Sequence, residues 1–223
     1  MSLATRRSSA VPVLLGLPIL SNLASLLIFA PLFAPGRVAT SVDFRSAGVL
    51  LGIAVIFIEL VGFVLVTRGL RQEGASLKEL AGFQRSRLSF YFATATAALI
   101  PTLALGWLYV EVQRRAGIDL SPAQMQPHEV LLWYLLTPAA AALLEEMIWR
   151  GYAIARMGGG WRGLILTSVS FAMFHGVFNP VVVAIAFFQG LVWGWAYLRT
   201  GSVLPGCVLH GVSRYLGLIA ALA

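Results

Sequence analysis

Apolar runs of about 20 residues recur along the whole chain, near 11–35, 47–67, 89–110, 130–151, 163–178, 181–198 and 202–222. A run of that length spans the hydrocarbon of a bilayer as one helix, because lipid offers no partner to backbone N–H and C=O groups and each must be satisfied within its own segment. No polar block large enough to fold by itself separates the runs. The expected fold is therefore all-α: a polytopic transmembrane bundle of about seven spans, forming a single integral membrane domain over residues 1–223. Composition agrees, with 59% hydrophobic and 11% charged residues and a mean hydropathy of +0.84, far from the soluble globular norm. Arg6 and Arg7 precede the first run, as in a signal peptide. Its apolar stretch is longer than a signal core and contains Pro12, Pro18 and Pro31, so it reads as a retained membrane segment.

The net charge of +7 does not point to nucleic acid, since the arginines fall in short connections between apolar runs, where bilayer topology accounts for them. With the N-terminus in the cytoplasm, that side collects Arg6, Arg7, Arg68, Arg71, Lys78, Arg85, Arg87, Arg156, Arg162 and Arg199. The other side holds only Arg37, Arg45, Arg114 and Arg115. This positive-inside bias sets the expected orientation. Between the second and third runs, Leu77, Leu80 and Phe83 stand at helical spacing among basic residues, the pattern of a short amphipathic helix at the membrane surface; a solvated linker is the alternative. The single cysteine, Cys207, excludes an internal disulfide and reads as a packing residue. Most tryptophans, among them Trp149 and Trp193, fall near span ends and read as interfacial anchors.

Charge within hydrocarbon costs several kcal/mol unless it is paired or faces a wet cavity, so the few polar residues inside spans carry most of the functional information. They are Glu59, Glu145, Glu146, Arg150, His175, His210 and Arg214. In "LLEEMIWRGY", Glu146 and Arg150 are four apart, which on a helix brings them to one face to neutralise each other. Glu145 lies about 100° round the helix and has no such neighbour in sequence. A carboxylate of that kind facing a polar cavity can take a proton from water, as a general base does; the alternative is a cluster that only fixes helix packing. At about 1.5 Å per residue, Glu145, His175 and His210 stand roughly 9, 18 and 12 Å from the cytoplasmic ends of their spans, similar enough in depth to share one site. Glu59 either reaches the same cavity or pairs with a neighbouring helix.

Three motifs in order, "EEMIWRG" from Glu145, "FAMFH" from Phe171 to His175 and "HGVSR" from His210 to Arg214, match Glu-Glu-x3-Arg, Phe-x3-His and, in part, His-x3-Asn/Asp. Over about residues 130–220 the chain thus resembles the CPBP family of intramembrane proteases, which includes the Rce1-type CAAX prenyl endopeptidases and bacterial bacteriocin-immunity homologues. The resemblance implies peptide-bond hydrolysis within the membrane. Glu145 would activate water, His175 would position it or share its proton, and the His210 region would stabilise the oxyanion, with Glu146 and Arg150 supporting the site. It also implies a membrane-embedded or lipidated peptide or protein as substrate, the cytoplasmic membrane of a bacterium as location, and no nucleic-acid partner. The family has been described as glutamate-based and as metal-dependent. Glu145, His175 and His210 are the donor types of an open zinc site, and they also suit acid, base and hydrogen-bond-donor roles, the reading favoured here, which needs no cofactor.

One position departs from the pattern. Arg214 stands where the family carries Asn or Asp, and arginine neither ligates a metal nor acts as a base. It can donate hydrogen bonds to an oxyanion; alternatively Asn179, four residues after His175 and on the same face if that helix continues to Pro180, supplies the amide. The third reading is a catalytically degenerate scaffold or immunity-type protein that binds a partner without cleaving it. Other chemistries find no motif: "HEV" at His128 lacks the second histidine of a zinc helix, no Gly-x-Ser-x-Gly elbow exists, and "GGGWRG" at Gly158 follows no strand and reads as a loop. No polar pattern in the first half matches the second, which argues against a transporter built from repeats.

Overall fold

The computed structural model describes residues 10–36, 38, 40–115, 126, 131–132, 136–176 and 179–222, with the side chains of 41, 42, 44, 45, 113, 214 and 216–222 excepted. The described residues are helical throughout and form no strand. A π-helical turn, Pro12–Gly16, leads into α1 (Leu17–Phe29), which ends in a 3₁₀ turn, Ala30–Phe33. Next come α2 (Ser41–Glu73), α3 (Leu77–Ala81) and α4 (Leu88–Arg115). A short helical lead-in, Thr137–Ala140, continues into a 14-residue π-helix, Ala141–Ile154. Three more helices follow, α5 (Gly160–Phe174), α6 (Pro180–Thr200) and α7 (Leu204–Leu222).

Local chemistry starts and stops these helices. Thr40 with Asp43, and Ser76 with Glu79, form capping boxes that satisfy the first orphan N–H groups of α2 and α3. Asn179 caps α6, with Pro180 in the first position where its missing N–H costs nothing. Gly82 closes α3 at φ +61°, and a Cβ there would strike the carbonyl of Gly201, so both conformation and space require glycine.

Four stretches, Pro12–Phe33, Ser46–Glu73, Leu77–Val112 and Pro180–Thr200, are long and apolar enough to cross a membrane, and the chain is a membrane protein. The π-helix carries three charges, and α5 is only 15 residues long. Apolar side chains on the outer faces are exposed as lipid contact requires, among them Leu27, Phe57, Phe92, Ile100 and Phe188. The short surface helix forms, but of its three apolar residues only Leu80 is buried; it packs against Gly151, while Leu77 and Phe83 stay exposed.

The π-helix is the hub, with α2, α5 and α7 packed round it, α3 laid across its end and α6 touching it more lightly. Every residue from Leu144 to Ile154 is buried. Outside this inner set, α1 packs on α2 and α5, and α4 on α6 and α7. Two expectations are corrected. The fifth run was read as continuing to 178, but α5 stops at Phe174, with His175 as its C-cap and Gly176 at φ +111° turning the chain away. Trp149 and Trp193 are not interfacial: both are buried in the central cluster, because they face the π-helix and α5 rather than lipid.

Candidate active site

Three elements bring the intramembrane polar residues together: the π-helix supplies Glu145, Glu146 and Arg150, the end of α5 supplies His175, and the middle of α7 supplies His210. Glu145, Glu146, Arg150 and His210 are at most 2% exposed, whereas the His175 side chain is 18% exposed, so the site is reached from the His175 side. Glu145 Oε2 lies 3.9 Å from His175 Nε2 and 3.7 Å from His210 Nε2. On the other side of the same ring, His210 Nδ1 lies 3.4 Å from Glu146 Oε1, which is itself 3.3 Å from Arg150 Nη1.

The two adjacent acids therefore face the two nitrogens of one imidazole, although an α-helix would turn them about 100° apart. In a π-helix the i→i+5 bonding places more residues in each turn, so consecutive side chains diverge less. π-helical stretches are usually single turns and often occur at functional sites; this one runs for 14 residues. Glu146 is thus more than the counter-ion of Arg150, since it also flanks His210. Gly206 makes room for it, because a Cβ on α7 at that point would collide with the Glu146 carboxylate.

Aromatic rings complete the enclosure. The Arg150 guanidinium sits 4.2 Å from the Phe171 ring centre and 5.5 Å from that of Trp193, so π faces stabilise the buried cation where hydrogen bonds are few. Trp193 stacks on His210, with ring centres 4.2 Å apart and planes 26° apart, and its indole N–H donates to Thr102 Oγ1 on α4 at 3.2 Å. Phe171 also lies 4.4 Å from the His175 ring. The His175 tautomer follows from its neighbour: Nδ1 is 2.9 Å from the Phe171 carbonyl, which only accepts, so Nδ1 carries the proton. In the neutral ring, Nε2 is then an acceptor facing Glu145.

Zinc was one expectation for Glu145, His175 and His210. Carboxylate and imidazole are donors zinc takes, yet among the described residues no three His, Cys, Asp or Glu side chains form a group that could hold a metal ion. The two imidazole Nε2 atoms stand 3.7 and 3.9 Å from Glu145 Oε2, and the other nitrogen of each ring faces a protein acceptor, Glu146 for His210 and the Phe171 carbonyl for His175. Asn179 does not share a face with His175. The helix ends before it, and its Oδ1 accepts from the N–H groups of Val181 and Val182 at the start of α6. The Arg214 side chain and His128 lie outside the described residues. Glu59 is buried on α2.

Reading the sequence alone missed Trp193, Thr102 and the second contact of Glu146. Apolar stacking partners carry no motif, and the contact of Glu146 with a ring on α7 leaves no sequence periodicity to detect. No curated protein and no solved structure matches the chain. Residues 127–216 match the family described as Type II CAAX prenyl endopeptidase Rce1-like, a stretch that contains both acids, Arg150 and both site histidines. Over residues 127–216 the chain is thus similar to the Rce1-like type II CAAX prenyl endopeptidases.

Proposed function

We propose that the protein is an intramembrane endopeptidase that hydrolyses a peptide bond of a prenylated, CAAX-type membrane-associated substrate, with Glu145 as the general base. The observation that carries this reading is the position of Glu145 Oε2 between two imidazole Nε2 atoms, 3.9 and 3.7 Å away and nearly inaccessible to solvent. Those spacings are too long for direct hydrogen bonds and suit a water lying among the three groups.

Such a water donates one hydrogen to Glu145 and the other to the acceptor Nε2 of His175. Glu145 takes the proton as the water oxygen adds to the scissile carbonyl, forming the tetrahedral oxyanion. His210 has an acceptor facing each nitrogen, and when it carries two protons its Nε2–H is a donor for that oxyanion. Glu145 then passes its proton to the leaving amine as the C–N bond breaks, leaving a new carboxyl and a new amino terminus. Arg150 and Glu146 hold the surrounding charge, and the N-terminus faces the cytoplasm. No step of this reading runs through a metal. A specific observation favours a second reading, binding without cleavage: Arg214 replaces the family's Asn or Asp.

The test is mass spectrometry of a farnesylated CAAX-type peptide incubated in ¹⁸O-water with the protein in liposomes. Two products, with ¹⁸O in the new carboxyl and yields unaffected by a zinc chelator, are expected. A peptide that is bound but stays intact supports the second reading, and one neither bound nor cut overturns the substrate class.

A further inference from the structure

The end of α5 lies at the rim of the bundle, with Phe174 buried, His175 half-buried and Met173 exposed, so its last carbonyls are only partly open to water. A helix leaves its final four C=O groups without intrahelical partners, and each one left bare in an apolar setting costs several kcal/mol. Here all four are taken. Phe171 O accepts from His175 Nδ1 at 2.9 Å and Ala172 O from the His175 backbone N–H at 3.2 Å. Met173 O accepts from Gly176 N–H at 3.4 Å and from Asn22 Nδ2 at 2.8 Å, and Phe174 O from Ser21 Oγ at 2.8 Å. Two side chains of α1, far outside residues 127–216, therefore finish the helix that carries His175.

The same seam continues one turn away. Leu14 O, whose α-helical partner N–H is missing because Pro18 occupies that position, accepts from Ser170 Oγ at 2.7 Å, and Ser170 Oγ accepts in turn from Trp149 Nε1 on the π-helix at 3.1 Å. The geometry points to Ser21 and Asn22 as positioning residues for His175: by binding the last two carbonyls of α5 they fix the C-cap, and with it the direction of the imidazole towards Glu145. The N-terminal span is thereby part of the site. The consequence for cleavage rests on the proposed protease reading, whereas the effect on the ring does not.

The chain has three histidines, His128, His175 and His210, so ¹³C,¹⁵N-histidine-labelled full-length protein in lipid nanodiscs gives a spectrum in which the His175 signal is identified by its loss in His175→Gln. In Ser21→Ala and in Asn22→Leu, the His175 signal is expected to move while that of His128 stays, and Ser21→Thr, which keeps the hydroxyl, is expected to return it towards its original place. Ser25→Ala, whose hydroxyl bonds only within α1, is expected to leave it alone. On a farnesylated CAAX-type peptide the two variants are expected to lose roughly three- to thirtyfold in kcat with KM unchanged, the rate equivalent of one hydrogen bond to a buried carbonyl. An unmoved His175 signal in both folded variants overturns the proposal. A moved signal in a protein whose wild type cleaves nothing upholds the positioning role and counts against the protease reading instead.

Discussion

Two buried arginines six residues apart are treated in opposite ways. Arg156, just beyond the π-helix, is saturated: Nε and Nη2 reach the two carboxylate oxygens of Glu73 on α2, Nη1 donates to the Tyr152 carbonyl at 2.9 Å, and the guanidinium lies 3.7 Å from the Tyr152 ring centre. Arg150, within the π-helix, faces Glu146 at 3.3 Å without a well-aligned hydrogen bond, and among the described residues neither of its terminal nitrogens nor either Glu146 oxygen makes one. Its cation rests on the rings of Phe171 and Trp193. A bidentate, fully bonded pair has no capacity left for anything else and acts as a clamp between helices. A polar group that is buried and underbonded is costly, and that cost is borne where the groups face reacting atoms. The first cluster holds the fold, and on the proposed reading the second is arranged for chemistry.

Mutations that break the clamp should therefore move stability and leave chemistry alone. Glu73→Ala strands a buried Arg156 and is expected to lower unfolding stability by about 3–5 kcal/mol, while the cleavage rate per folded molecule stays unchanged; chemical unfolding and active-fraction-corrected kinetics check both halves. Mutations in the second cluster should do the reverse. His210→Ala removes the donor next to Glu145 and is expected to reduce kcat by roughly 10²–10³-fold, the range for loss of an oxyanion donor, with a small change in thermal midpoint. For Arg214→Ala the expected fall is about 10²-fold if its guanidinium reaches the oxyanion; an unchanged rate assigns the donor role to His210 alone. The smallest effect belongs to Thr102→Val. It takes away the hydrogen bond that steadies Trp193 against His210, and steady-state kinetics should show a loss of roughly two- to tenfold, equivalent to one ordinary hydrogen bond.

Hydropathy alone marked the helical membrane architecture, because lipid forces apolar length and internal hydrogen bonding onto each span. Glu145, Glu146, Arg150, His175 and His210 were legible for the same reason: charge inside an apolar run is expensive and stands out. What hydropathy could not show is direction. His210, brought in by α7, stands between Glu145 and Glu146, and a reading of their own helix alone puts the two acids on separate faces. Asn179 was placed on the face of His175 by assuming that one helix continued, whereas Gly176 at φ +111° ends it. Ser21 and Asn22 were invisible, since a hydroxyl and an amide in a first span carry no periodic signal and their partners are carbonyls more than 150 residues away.

The central claim is that Glu145 is the base of a hydrolytic site, and one measurement tests it most directly. Wild-type protein and Glu145→Gln, which keeps the shape and removes the charge, are reconstituted in the same liposomes and compared for cleavage of a membrane-embedded reporter and for thermal midpoint. Loss of about 10²–10⁴-fold in rate, the contribution of a positioned general base, with the midpoint unchanged, is the predicted result. Cleavage by a folded Glu145→Gln protein at the wild-type rate would contradict the account.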